Sequence, residues 1–298
     1  MLKKHLFCLA LIGFSLSTAC FATEPAGQTQ DREIAITIDD LPFVGSANGD
    51  ATKLQREHDR FLKIMQALID NKVPATGFVI AGSIEKGQWE LLEAFHQAGF
   101  ILGNHTFSHA NLNTTKADKY IDNVDQADKM LTPLMSETKY FRYPYLAESS
   151  GEKKRLVTDY LSAHQYVIAP VTIDSKDFIF NEQLYRIPYR MREKSLEQLK
   201  RRYLAYIWNQ TLKAENRAQK EGKPAKQILL IHANLLNSYL LGDIIELYKQ
   251  KGYRFISLSD ALKAPAPAIT APSDAPKEQF EMIFHDSVLN SLFRHYKS

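Results

Sequence analysis

From residue 34 to residue 258 the chain alternates between short β-branched or aromatic runs and longer stretches with apolar residues at helical spacing. No other feature constrains the fold as tightly. Strand-like runs fall at residues 34–42, 75–81, 100–102, 139–142, 166–173, 227–231 and 254–258. Between them, residues 53–71, 88–97, 116–131, 152–163, 195–221 and 239–249 show the three-to-four-residue apolar period of amphipathic helices. Strand and helix in regular alternation imply a parallel sheet, and six or more such units imply a closed or nearly closed barrel. The predicted fold is therefore α/β, a distorted (β/α) barrel. Its reactive residues should gather where the strands end.

The first run carries Ile34, Ile36 and Ile38, ends in Asp39-Asp40 and stops at Pro42. Neighbouring strand residues point to opposite sides, so these two carboxylates are expected to do different work. An isolated Asp-Asp pair is equally read as a turn cap. Gly103-Asn104-His105-Thr106-Phe107-Ser108-His109 follows the third run, and two His four apart on one helical turn can grip one metal ion. Such a pair, with an Asp from a neighbouring strand end, has the composition of a catalytic divalent site, with zinc the first expectation. Arg142 ends the fourth run and can orient a carboxylate through a bidentate pair, or be an ordinary surface Arg in a turn. The residue after Pro144 could aim its backbone N–H at a developing oxyanion. Asp174 to Phe178 follow the fifth run; an Asp there could fix the tautomer of a His, or simply cap a helix. His232 ends the apolar run Leu229-Leu230-Ile231 and is read either as a satisfied core histidine or as a general acid at the barrel mouth. His58, His96, His164, His285 and His295 show no ligand spacing.

These motifs, in this order, resemble the polysaccharide deacetylases of carbohydrate esterase family 4, also described as NodB-like. The family's Thr-Phe-Asp-Asp-Gly-Pro stands here as Thr37-Ile38-Asp39-Asp40-Leu41-Pro42, and its His-Ser/Thr-x-x-His as His105 to His109. Arg-x-Pro-Tyr is Arg142-Tyr143-Pro144-Tyr145, Asp-x-x-Asp-Trp runs from Asp174 to Phe178, and Leu-x-His is Leu230-Ile231-His232. The resemblance implies that Asp40, His105 and His109 hold the metal and that Asp39, kept in place by Arg142, takes a proton from water. It implies that the Tyr145 backbone N–H receives the oxyanion and that His232, held by Asp177, protonates the leaving group. Leu230 and Phe178 would line the substrate pocket. The implied activity is metal-dependent hydrolysis of acetyl groups from an N-acetylated sugar or polysaccharide; an O-acetyl esterase or a non-catalytic sugar-binding relative are the alternatives. Two departures stand out. Leu41 replaces Gly, which is expected to divert the loop and narrow the groove, and Phe178 replaces Trp, which loses the indole N–H.

Outside residues 33–263, the expected catalytic domain, other signals dominate. Residues 1–22 read as a secretory signal, with Lys3 and Lys4 before an apolar run too short to span a bilayer. An exported, soluble protein, periplasmic or extracellular in a bacterium, is expected; a lipid anchor on Cys20 is the rival. Cys8 and Cys20 both lie in this segment, so cleavage after Ala22 leaves no thiol for a disulfide, a nucleophile or a zinc ligand. It also leaves 35 basic against 34 acidic side chains, a net charge of +1, which argues against a nucleic-acid partner. No later segment reads as transmembrane. Residues 23–32 are expected to form a flexible leader, 264–277 a Pro/Ala-rich linker and 278–298 an amphipathic helix. Residues 179–226 exceed one strand–helix step, and are read as a helix packed outside the barrel or as an aromatic, basic lid.

Overall fold

The computed structural model describes residues 32–45, 47–223 and 226–263. The expected signal segment, linker and C-terminal helix lie outside them, as does the expected leader except for Arg32, where the first strand begins. Strands β1 (Arg32–Leu41), β2 (Ala75–Val79), β3 (Ile101–Asn104), β4 (Lys139–Phe141), β5 (Tyr166–Ile168), β6 (Ile173–Asp174), β7 (Lys226–His232) and β8 (Tyr253–Phe255) form one parallel sheet. Its order is β5-β4-β3-β2-β1-β7-β6, with β8 paired to the start of β1. Helices α1 (Ala51–Asp70), α2 (Trp89–Gln97), α3 (Ala117–Leu131), α4 (Gly151–Ala163), α5 (Asp177–Arg186), α6 (Arg192–Lys220), α7 (Leu235–Gln250) and α8 (Leu258–Leu262) surround it.

The sheet curls until its two edges are joined by a single stretch of chain. Residues 166–173 were expected to be one strand; they are two, β5 at one edge and β6 at the other. Between them Ala169 N–H donates to Phe141 O and Thr172 N–H to Ile228 O, so the stretch leaves β4 and arrives at β7. Pro170 lies at the crossing and has no N–H to continue a ladder. The barrel is thus closed by chain rather than by hydrogen bonds.

Strand β1 lies at the centre of the sheet and is buried on both faces, as a parallel strand should be. Ile34, Ile36 and Ile38 pack outward with Phe61, Met65 and Leu68 of α1 and Leu240, Leu241 and Ile244 of α7. Ala35 faces inward with Phe78, Tyr140, Ala169 and Ile228. Helix α7 begins at Leu235, four residues before the expected start, because the Asn234 side chain caps it through the Asn237 N–H. Its early residues are apolar on nearly every side, which hides the helical period from the sequence. The last expected strand shortens to β8, and Ser257 caps α8.

Candidate active site

The C-terminal ends of β1, β3, β6 and β7 surround a cavity of about 390 Å³, lined among others by Asp39, Asp40, His105, His109, Tyr145 and His232. Asp39 and Asp40 do not point to opposite sides. The register with β2 slips between Ile38 and Leu41, and Asp40 takes φ of 62°. This bulge turns both carboxylates into the same cavity. Leu41 then points away from it, fully buried, into a space that exists because residue 77 is Gly: a Cβ there would lie 2.4 Å from Leu41 Cδ2. Leu41 therefore fills the core beneath the cavity and does not narrow it.

His105 and His109 meet, but not on a helix. Thr106 and His109 have φ of 67° and 57°, so residues 105–109 form a looped turn beyond β3. Side-chain amides pin it: Asn104 Oδ1 accepts from Thr106 N–H, and Asn123 Oδ1 of α3 accepts from Phe107 and Ser108 N–H. The loop brings His105 Nε2 to 3.5 Å and His109 Nε2 to 3.3 Å from Asp40 Oδ1. One ligating atom from each of the three lies within 4.8 Å of the others.

The donor set fits a divalent cation. His105 Nδ1 stands 2.8 Å from the Arg142 carbonyl, an acceptor only, so this nitrogen carries the proton and Nε2 presents its lone pair. Burial, helped by His105, lowers His109 to about 4 against the opposing pull of Asp40, so its ring is neutral at pH 7. Burial raises Asp40, and protonated His105, His232 and His109 would outweigh it and hold the carboxyl at about 2; with His105 and His109 neutral, the charge on His232 is what remains to favour the carboxylate. Its Oδ1 is buried without a hydrogen-bond donor in good geometry. A carboxylate oxygen facing two imidazole lone pairs is repulsive until a cation lies among them.

Arg142 is fully buried in the barrel, its guanidinium 4.7 Å from the centre of the Phe78 ring. Nε donates to Ala169 O at 2.8 Å, and Nη2 to Thr37 Oγ1 at 3.1 Å and Pro170 O at 3.4 Å. Nη1 faces both Asp39 oxygens at 3.5 and 3.4 Å, a forked contact from one nitrogen in place of the expected bidentate pair. The same side chain thus fastens the barrel-closing segment and faces Asp39.

On the opposite wall, His232 Nδ1 donates to Asp177 Oδ1 at 2.6 Å. Burial pushes the imidazole down, yet Asp177, with Asp40 and Asp39 behind it, carries it up to about 10. His232 is therefore an imidazolium at neutral pH. Asp174 takes a different place: it accepts from Lys176 N–H and pairs with Lys176 Nζ at 2.6 Å on the cavity rim. Phe178 is half exposed, its ring edge-on to His232 at 6.3 Å, and Leu230 lines the floor. The Tyr145 ring lies 4.4 Å from that of His109 and shields it, with φ of 59° at Tyr145.

Residues 26–166 match the polysaccharide deacetylase family. That match, just under half of the chain, makes it a relative of the family. Its curated relatives include the peptidoglycan-N-acetylglucosamine deacetylase of Bacillus cereus, 25% identical over 154 residues, which are 51% of this chain and 49% of that one. The chain thus spans about half the length of that relative. Among solved structures, the chitin deacetylase of Colletotrichum lindemuthianum superposes with a TM-score of 0.51 at 22% identity, over 87% of this chain and 95% of that one. A family member described as a pseudoenzyme, from Bacillus anthracis, superposes with a TM-score of 0.52 at 18% identity, over 78% and 66%. The fold is that of the family.

The five sequence motifs of a polysaccharide deacetylase meet around the cavity, but they do not account for all of its construction. Asn104 and Asn123 hold the His loop, Thr37 fills out the Arg142 contacts, and Asn234 and Asn237 attend Asp177. Asn104 and Asn234 were within reach of sequence reasoning, since one precedes His105 directly and the other stands two residues after His232. Nothing marks Asn123 or Asn237, which sit inside helices.

Proposed function

We propose that the protein is a metal-dependent hydrolase that removes acetyl groups from an N-acetylated glycan. The observation that carries this reading is the convergence of Asp40, His105 and His109 in a cavity that Asp39 and His232 also line. A divalent ion held by Asp40, His105 and His109, zinc by the character of the donors, would acidify a water and polarise the acetyl carbonyl. Asp39, steadied by Arg142, takes the proton that the attacking water loses. The Tyr145 backbone N–H donates to the carbonyl oxygen as negative charge develops there. The His232 imidazolium, its Nδ1 engaged by Asp177, gives its Nε2 proton to the departing nitrogen, and the C–N bond breaks to leave acetate and an amino sugar. Leu230 seats the acetyl methyl, and Phe178 offers its half-exposed ring to the sugar.

The family's peptidoglycan and chitin deacetylases make a cell-wall or chitin-like glycan the first substrate to try. We further propose that the chain is exported, on the strength of residues 1–22. Among the described residues no helix is long and apolar enough to cross a membrane.

The purified protein is expected to release acetate from N-acetylated sugar oligomers, to stop on chelation and to resume with zinc. Asp39→Asn and His232→Ala should each lower kcat by about 100-fold or more. Full rates in either variant would overturn the assignment of roles, and faster release from O-acetyl xylan would move the reaction to the ester bond.

A further inference from the structure

Asp177 opens α5 and is wholly buried, and it accepts hydrogen bonds from His232, Asn234 and Asn237. Oδ1 is reserved for the imidazole. Oδ2 accepts from the His232 backbone N–H at 2.7 Å, Asn234 Nδ2 at 2.9 Å and Asn237 Nδ2 at 2.5 Å. A carboxylate held at both oxygens by four N–H groups cannot rotate without breaking several of them.

The two Asn are themselves fixed. Asn234 Oδ1 accepts from the Asn237 backbone N–H, and Asn237 Nδ2 also donates to the His232 carbonyl. An amide can be turned either way round, and its oxygen aimed at Asp177 would repel the carboxylate. The His232 carbonyl selects the right way round together with Tyr203, buried on the long helix α6, whose hydroxyl donates to Asn237 Oδ1 at 3.1 Å. A hydrogen-bonded chain therefore runs from α6 through Tyr203 and Asn237 to Asp177, which accepts from Asn237 at one oxygen and from the His232 ring at the other. The Tyr203 ring is held independently, 5.0 Å from Phe180.

We propose that Tyr203 and Asn237, with Asn234, are positioning residues that lock Asp177 and so fix the His232 imidazole in one orientation, which makes helix α6 a support of the active site. The proposal rests on the deacetylase reading for its kinetic consequence but not for its structural one. In the full-length, metal-loaded protein, Tyr203→Phe keeps the ring and deletes only the hydroxyl. It should lower kcat by about 10-fold, and Asn237→Ala by up to about 100-fold, both with KM and metal content close to wild type. Because both act through one carboxylate, the double variant should be no slower than Asn237→Ala alone. Independently of turnover, proton NMR of the full-length protein should show a far-downfield His232 Nδ1–H resonance. That resonance should move or broaden in Tyr203→Phe, even if Asn237→Ala fails to fold.

A resonance unmoved in Tyr203→Phe overturns the proposal, as does unchanged kcat in that variant or losses that multiply in the double variant. A wild-type protein without acetate release on N-acetyl and O-acetyl substrates would instead sink the deacetylase reading, leaving the resonance to decide the positioning chain.

Discussion

Asp40, Thr106, His109, Tyr145 and Lys176 all hold positive φ, between 49° and 67°, and all lie in or beside the cavity. For residues other than Gly this conformation costs about 1–2 kcal/mol each, and for a β-branched Thr it is unusual. Thr106 persists there because its N–H and Oγ1 are both engaged, by Asn104 and by the Ala110 N–H. Such strain survives only where surrounding contacts over-determine the backbone. At Leu41 the same economy of space works through a neighbour. Gly77→Ala should destabilise the protein by about 1–3 kcal/mol, because the added methyl meets Leu41 and Phe95 in a filled core. In a Leu41→Ala background the same change should cost about 1 kcal/mol less, measured by urea unfolding; strict additivity of the two would refute the steric explanation.

Elements meet at this site through a few polar side chains. Asp177 ties the start of α5 to the end of β7 and the first turn of α7, while Arg142 ties β4 to β1 and to the segment that closes the barrel. The first tie titrates. Folding raises His232 from about 6.5 to about 10, so the folded state binds the proton more tightly than the unfolded one. The stabilisation is complete below about pH 6.5 and fades as pH rises through about 10. For the metal-free protein, wild type should therefore lose Tm faster than His232→Gln between pH 7 and pH ~10.5. Parallel Tm profiles for the two proteins would show that the imidazolium contributes nothing to the junction of α5, β7 and α7.

At the scale of the whole molecule, the barrel gathers three side chains able to hold a metal ion from two strand ends and leaves an acidic oxygen buried among imidazoles. Any ion that binds there binds the folded chain alone. Zinc at about 100 times its dissociation constant should add about 2.7 kcal/mol. For a domain of this size that corresponds to a rise in Tm of about 5–10 °C, reversed by chelator and absent in Asp40→Asn. An equal rise in Asp40→Asn would assign the ion to another site. The insert that lengthens the chain between β6 and β7 is structural for much of its course. Leu199, Tyr203 and Ile207 of α6 are buried in the main core, while Tyr189 before it is mostly exposed.

Local order was legible along the chain. Alternating periods gave the succession of strands and helices, because burial against a sheet or one face of a helix leaves a period of two or of about 3.6 in the residues themselves. Motif spacing picked out residues, from Asp39 to His232, that the fold brings around one cavity. What the sequence could not express was direction. The bulge at Asp39-Asp40, the left-handed turns at Thr106 and His109 and the crossing at Pro170 depend on pairing between strands far apart in the chain. The sharing of Asp177 among His232, Asn234 and Asn237, and the reach of Tyr203 from α6, depend on helices docking from outside the barrel. Those contacts have no period and no fixed spacing, so only tertiary packing decided where each side chain would point.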